Sequence, residues 1–329
     1  MPDITRLAPS PTGALHIGNA RTFLVNWALA RRHGWHVFLR IEDFDTPRVK
    51  PGAIEGVIDT LRWLGMDWDP WPPAADSPIP GVLIQTADLA PYHAAISTLA
   101  AKGLAYPCAR TRGEIESVLS APQEGAHETP FPASLRPTNA GTPTTFPPAA
   151  SGEASNWRFL TPESEVAFVD AFAGPQSLSP TKSVGDFVLW TKRGQPSYQL
   201  AVVVDDQRQG VNRIVRGDDL LDSAARQLLL WRALGLAPEP EFMHLPLVLG
   251  PDGKRLAKRH GDSRVDTYRS RGVPREAIVG LVAYWCGTQP TRSPMSPAEF
   301  KGALDPRTIP PVPVTFTSED DRWLLAQAR

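Results

Sequence analysis

Cysteine is scarce: Cys108 and Cys286 are the only two in 329 residues. Two thiols exclude a disulfide framework and a four-cysteine zinc site. They suit a reducing compartment, so a cytoplasmic location is expected. No stretch approaches the roughly 18 apolar residues of a membrane-spanning helix, and the N-terminus lacks the charged-then-apolar pattern of a secretory signal. No membrane association is expected. An excess of either charge is also missing: 34 Lys and Arg stand against 35 Asp and Glu, a net charge of −1. That balance gives no global basic field for nucleic acid, although a local basic face would be enough. What is plentiful is proline, 35 residues, concentrated in particular stretches. The 42% hydrophobic and 21% charged content is ordinary for a globular protein, and the length gives one large or two modest domains a real core.

Periodicity sets out the elements. Ile4 to Ala8 reads as a short buried strand. From Gly18 to His33 the apolar positions Ala20, Phe23, Leu24, Trp27 and Ala30 recur at helical spacing, with Gly34 as the stop. Trp35 to Ile41 reads as a strand ending in Glu42-Asp43, which completes strand–helix–strand, the unit of a parallel sheet. Further helices are expected over Ile54 to Leu64 and Leu89 to Lys102. The segment from about Ser120 to Ser155, rich in Pro, Ala, Thr, Ser and Gly, reads as an irregular, partly disordered insertion, with regular structure resuming near Asn156. Gln199 to Asp205 contains Leu-Ala-Val-Val-Val, a continuous apolar run that predicts a buried strand. Helices follow over Leu220 to Leu234 and Pro274 to Trp285, with a strand at His244 to Leu249 and a short helix at Ser318 to Gln327. No internal repeat is visible.

Two stretches carry chemistry. The first is Arg6-Leu-Ala-Pro-Ser10-Pro-Thr-Gly13-Ala-Leu-His16-Ile-Gly18-Asn19. It places backbone N–H groups, a helix N-terminus and an imidazole around one spot, where the triphosphate of ATP is a natural occupant. Gly18 lets backbone approach a phosphate, His16 can donate to a phosphoryl oxygen, and Asn19 can help hold the nucleotide. The second is Lys254-Arg-Leu-Ala-Lys258-Arg259-His260-Gly261 after the turn Gly250-Pro-Asp-Gly253. Clustered cations on a mobile loop can clamp a triphosphate. Taken singly, the first stretch is equally a turn with a capping Asn and the second a solvated basic loop.

Taken together, the two stretches resemble the signatures of the class I aminoacyl-tRNA synthetases, here His16-Ile-Gly-Asn19 and Arg255-Leu-Ala-Lys258-Arg259. Ala257 stands where Ser is common, which removes a hydroxyl and keeps the lysine. Arg6 to Gly13, Arg40-Ile-Glu-Asp-Phe-Asp45, Val203-Val-Asp-Asp with Ile214-Val-Arg-Gly-Asp-Asp-Leu220, Gln227 to Gly235 and His244 to Lys254 are similar to the glutamyl branch. The resemblance implies a Rossmann-like, doubly wound parallel α/β sheet with an inserted acceptor-type subdomain and a short helical C-terminal region. The expected division is 1–105 and 196–262 for the two halves of the catalytic domain, 106–195 for the insert, and 263–329 for a helical stem-contact-like region and tail. It also implies catalysis by His16 and Lys258 and ATP binding, normally with Mg²⁺, at His16, Gly18, Asn19 and Lys258. L-glutamate would bind at Arg6, Ala8, Ser10, Glu42, Tyr198 and Arg216. The chemistry of those side chains agrees: arginines pair with carboxylates, and Glu42 can take the ammonium.

About 70 residues follow Lys258, where full glutamyl enzymes continue into anticodon-reading domains. The shorter architecture is similar to the glutamyl-queuosine tRNA(Asp) synthetases, which transfer glutamate to the queuosine base of tRNA(Asp). That RNA is the expected partner and a monomer the expected state. A truncated glutamyl enzyme charging tRNA(Glu) and a non-catalytic paralogue binding glutamate, ATP or tRNA remain open. Members of the subfamily often hold zinc with Cys-x-Cys and Tyr-x3-Cys. Here the matching positions are Cys108, Arg110, Phe131 and Leu135, and one thiol cannot hold tetrahedral zinc, so no metal site is expected. Among basic residues, Arg21, Lys182, Lys192 and Arg193 are candidates for the RNA backbone.

Overall fold

The structure, a computed structural model, describes residues 2–74, 77–118, 130–147, 155–254, 256 and 263–329. Its first unit is β1 (Ile4–Leu7), α1 (Ile17–His33) and β2 (His36–Ile41), with β1 and β2 parallel from Ile4↔His36 to Leu7↔Leu39. Gly34, at φ 71°, caps α1 in the left-handed conformation that a side chain would resist. Arg31, Arg32 and His33 in the last turn complement the helix dipole. Asn26 in α1 donates to the Arg6 carbonyl at 2.9 Å and accepts from the Thr5 hydroxyl at 3.0 Å, which ties the helix to β1. Then come α2 (Ala53–Trp63), β3 (Leu83–Ile84), parallel to β2, and α3 (Ala90–Ala101).

The middle of the chain holds β4 (Ala105–Cys108), α4 (Arg112–Val118), β5 (Asn156–Phe159), β6 (Val166–Asp170), β7 (Gly174–Leu178), α5 (Pro180–Ser183), β8 (Val188–Thr191) and β9 (Gln195–Pro196). β4, β5, β8 and β9 make an antiparallel sheet, while the β6–β7 hairpin belongs to a different one. Residues 130–147, within the segment expected to be irregular and partly disordered, are irregular but packed. Phe131 and Phe146 are buried, and Phe146 sets its ring edge against Trp157 and Trp190.

The second half supplies α6 (Tyr198–Gln209), β10 (Arg213–Gly217), α7 (Leu221–Leu234), β11 (Glu241–Leu245) and β12 (Val248–Leu249). β10, β11 and β6 run parallel, with β7 antiparallel at the edge. The two parallel sheets meet where the Asn212 N–H donates to the Ile4 carbonyl and the Ile4 N–H to the Asn212 side chain, at 3.1 and 2.8 Å. β1 and β10 therefore lie side by side with windings departing in opposite directions, the switch point of a doubly wound fold. The chain closes with α8 (Val265–Ser270), α9 (Arg275–Trp285), α10 (Pro297–Ala303), β13 (Val314–Thr315), which pairs in parallel with β12, and α11 (Ser318–Leu325).

The strand expected over Gln199 to Asp205 is wrong: those residues lie in α6. Ser197 caps its start by accepting from the Leu200 N–H, and Gly210 ends it at φ 67°. The helix is buried on nearly every side, so it has no polar face and its apolar run imitates a buried strand. The strand expected at His244 to Leu249 is two, divided at Pro246, whose carbonyl accepts from the buried Arg21.

α6 also carries the carboxylate that joins the halves. Asp206 Oδ1 accepts from Arg6 Nε of β1 at 3.1 Å and from an Arg40 terminal nitrogen of β2 at 2.6 Å, all three side chains being buried. Burial would raise the Asp206 carboxyl, but Arg40 and Arg6 outweigh it and hold the group below its usual range. Asp206→Asn leaves both cations short of a charge. It is expected to lower unfolding free energy by about 3–5 kcal/mol in urea at neutral pH. Because the folded pKa is depressed, this contribution is complete above the unfolded value of about 3.9 and is lost as pH falls through the lower folded value, so the two proteins converge in acid. A neutral-pH difference below about 1 kcal/mol would contradict the role.

Candidate active site

A cleft of about 330 Å³ opens at the C-terminal ends of β1, β2 and β10 and at the N-termini of α1 and α6, beside the switch point. Nine residues singled out from sequence line it: Arg6, Ala8, Ser10, His16, Gly18, Asn19, Glu42, Tyr198 and Arg216. The tenth, Lys258, lies outside the described residues.

One side of the cleft is the start of α1. His16 is its N-cap, with extended backbone, and its Nδ1 accepts from the Asn19 N–H at 3.3 Å. A neutral imidazole that accepts at Nδ1 carries its proton on Nε2, so the ring is a donor at its far nitrogen. A Cβ built on Gly18 would sit 3.1 Å from His16 Nδ1 and 3.3 Å from the Val248 Cβ. Glycine therefore lets the imidazole and β12 close on the helix. The flanks of the second signature come to the same place. The Ile17 N–H donates to the Ser263 carbonyl and the Val265 N–H to the Leu15 carbonyl. Leu256 is buried, with its N–H on the Val248 carbonyl. Both ends of the lysine-bearing segment are thus fastened beside His16.

The opposite side is ionic. Glu42, just past β2, accepts from Arg40 at 3.1 Å. Burial pushes its carboxyl above the usual range while Arg40 and Arg6 pull the other way. Its N–H donates to the Pro9 carbonyl, and Ser10 donates its hydroxyl to the Glu42 carbonyl at 3.0 Å, so the Pro9-Ser10 loop and the carboxylate are fixed together. Tyr198, the first residue of α6, keeps 39% of its surface exposed.

Arg216, near the end of β10, is 5% exposed. It donates from Nε to His244 Nε2 at 2.9 Å and from its terminal nitrogens to Gln227 Oε1 at 2.8 Å and the Leu220 carbonyl at 3.2 Å. His244 Nδ1 lies 2.6 Å from Asp170 Oδ2. Because Arg216 can only donate, His244 Nε2 accepts and the proton sits on Nδ1, toward Asp170. Burial lowers the His244 pKa, Asp170 opposes this, and Arg216 adds to it. The cleft therefore presents a donor imidazole and a helix N-terminus at one end, and a carboxylate between arginines at the other. That arrangement suits a zwitterion with extra negative charge beside a phosphate.

The catalytic-domain model for tRNA synthetases class I (E and Q) matches residues 4–294. A glutamyl-Q tRNA(Asp) synthetase of Symbiobacterium thermophilum is 44% identical over 95% of this chain and 96% of its own length. The chain belongs to that family. A glutamate–tRNA ligase of an Azoarcus species is 37% identical over 98% of this chain but 66% of its own length. The crystal structure of a glutamate–tRNA synthetase from Elizabethkingia anophelis superposes with a TM-score of 0.79 at 27% identity, covering 98% of this chain and 70% of that one. The α/β catalytic fold with its parallel sheet and helical C-terminal region is thus the class I synthetase fold.

Sequence reasoning missed Arg40, Asp206, His244, Asp170 and Gln227 as members of this family site. Only Arg40 was legible, since residues two apart on a strand share a face. Arg21, a candidate for RNA contact, is 1% exposed and holds the Pro246 carbonyl, so that assignment is wrong; Lys182, Lys192 and Arg193 are exposed. At the positions weighed for zinc in the sequence, Cys108, Tyr106, Ile115 and Phe131 form an apolar cluster with Leu135 against it. Arg110 points outward to Glu114. Among the described residues no three His, Cys, Asp and Glu side chains gather as a metal site, and no helix is long and apolar enough to cross a membrane. In ¹⁵N NMR, His244 is expected to stay neutral and Nδ1-protonated at pH 6.5, the ordinary midpoint; half-protonation there would contradict the Asp170–His244–Arg216 geometry.

Proposed function

We propose that this chain activates L-glutamate with ATP and transfers it to the queuosine base of tRNA(Asp). The observation that carries the reading is one cleft holding both the His16–Asn19 helix start and the Arg6, Glu42, Tyr198 and Arg216 side chains. Glutamate brings two carboxylates and one ammonium, and the cleft offers two arginines and one carboxylate. An α-carboxylate oxygen attacks the α-phosphorus of ATP. The P–O bond to pyrophosphate breaks and glutamyl-adenylate forms. No protein nucleophile is needed: Glu42 and the arginines align the attacking group, while the N-terminus of α1 and the His16 Nε2–H meet charge that builds on phosphoryl oxygens. Lys258, outside the described residues, adds a cation. Any Mg²⁺ would come bound mainly to the nucleotide's phosphates, in keeping with that ion's habit. A hydroxyl of the queuosine cyclopentenediol then attacks the activated carbonyl, AMP leaves, and the hydroxyl proton passes to solvent.

The choice of tRNA(Asp) over tRNA(Glu) is supported by the higher identity to the relative named for tRNA(Asp), matched nearly end to end. Incubation with labelled glutamate and ATP is expected to label queuosine-containing tRNA(Asp) and leave tRNA(Glu) unlabelled; label on tRNA(Glu) alone would overturn the assignment. Lys258→Ala is expected to slow glutamate-dependent ATP–pyrophosphate exchange about 10²–10³-fold, and exchange at the wild-type rate would remove Lys258 from the mechanism. Because the Glu42 pKa is raised and ammonium binding needs the carboxylate, KM for glutamate should climb on acidification sooner than a Glu of ordinary pKa, about 4.3, would cause. Glu42→Gln should show a high KM without that rise. An unchanged wild-type KM down to about pH 4.3, the ordinary Glu midpoint, would contradict the role of Glu42.

A further inference from the structure

The three arginines around the cleft are balanced differently. Arg6 and Arg40 share Asp206, and Arg40 also holds Glu42. Arg216 is as deeply buried as Arg6, yet the described residues place no carboxylate within ion-pair distance of it; burial disfavours its charge and outweighs Asp206 and Glu42, which favour it from farther off. Its acceptors are an imidazole nitrogen, an amide oxygen and a backbone carbonyl, all uncharged. Its charge rests besides on the face of Phe242, 5.3 Å from the ring centre.

Each acceptor is fixed from behind. Asp170 holds the His244 ring, and its charge is spread over further N–H donors from His244, Phe172 and Ala173. Gln227 turns its oxygen to Arg216 because its Nε2 donates to Gln199 Oε1 at 3.1 Å, and Gln199 in turn donates to the Ser223 hydroxyl at 3.1 Å. The chain of neutral hydrogen bonds runs one way, outward from the guanidinium. A buried cation without a counter-charge is costly, and such costs gather at functional sites.

We propose that Gln227 and His244 are positioning residues that aim Arg216 into the cleft while leaving it without a directly paired anion, so that a carboxylate of the amino-acid substrate is its counter-ion. The inference rests on the reading of the cleft as a glutamate site. It makes the neutrality of Gln227, rather than its hydrogen bond alone, the property that matters.

Two variants separate charge from hydrogen bonding. Gln227→Glu keeps the shape and an acceptor for Arg216 but supplies a built-in anion; Gln227→Met loses the acceptor and keeps neutrality. In glutamate-dependent ATP–pyrophosphate exchange, Gln227→Glu is expected to raise KM for glutamate by about tenfold or more, and more than Gln227→Met does. Both variants lose the donor to Gln199, so the Tm of Gln227→Glu should exceed that of Gln227→Met, because the cation gains a partner. A role in hydrogen bonding alone predicts the reverse order of KM values. That order, a Gln227→Glu KM within about twofold of wild type, or a lower Tm for Gln227→Glu than for Gln227→Met, overturns the proposal. Absence of exchange by the wild-type protein would instead overturn the glutamate reading itself, so the two failures are distinguishable.

Discussion

One carboxylate holds the two halves of the cleft in place. Asp206 sits 200 residues from Arg6 and 166 from Arg40 along the chain, and it binds both. Arg6 lies on the first strand, Arg40 on the second, and Asp206 on the helix that Tyr198 begins. The three elements that bring Arg6, Glu42 and Tyr198 to the cleft therefore share one buried ionic joint. Such a joint stabilises little in net terms, because desolvation opposes the attraction. What it does supply is register: Arg40 can hold Glu42 at the mouth only while Asp206 anchors Arg40 from below.

From that joint the electrostatics grade outward. Arg40, bound to both Asp206 and Glu42, is compensated and serves as framework, while Arg6 meets Asp206 through its Nε and lines the cleft. Glu42 is held between burial, which favours its protonated form, and two cations, which favour the carboxylate. Arg216 stands apart, on a strand of the second parallel sheet, held by neutral groups. Across the cleft, the α1 N-terminus and His16 offer donors without a full charge. A dianionic amino acid with one ammonium and a polyphosphate can lie side by side there, each meeting charge of the opposite sense. In the middle of the chain, Tyr106, Cys108, Ile115 and Phe131 pack together as a separate apolar cluster.

Much of this was legible in the sequence because it is local. The strand–helix–strand opening, Gly18 and the Gly34 stop lie within some forty residues and obey short-range rules of periodicity and helix termination, whereas the cap proved to be His16 and not an Asn. Glu42 could be placed because it ends a strand of a parallel sheet. What could not be read depends on distance. Nothing near Asp206 announces that Arg6 will reach it, and the Leu200–Val204 run hides its own helix because burial on all sides erases the alternation that distinguishes helix from strand. Gln227 and His244 looked like family-motif residues without a task; their task appears only when Arg216 is seen to lack an anion.

The crystal structure of the glutamate-bound protein tests the central claim most directly, that the unbalanced Arg216 and the framework-held Glu42 together define an amino-acid site. One glutamate carboxylate is expected on the Arg216 guanidinium and the ammonium beside Glu42, with Asp206 still joining Arg6 to Arg40. Glutamate bound with no carboxylate at Arg216, or bound outside this cleft, would contradict it.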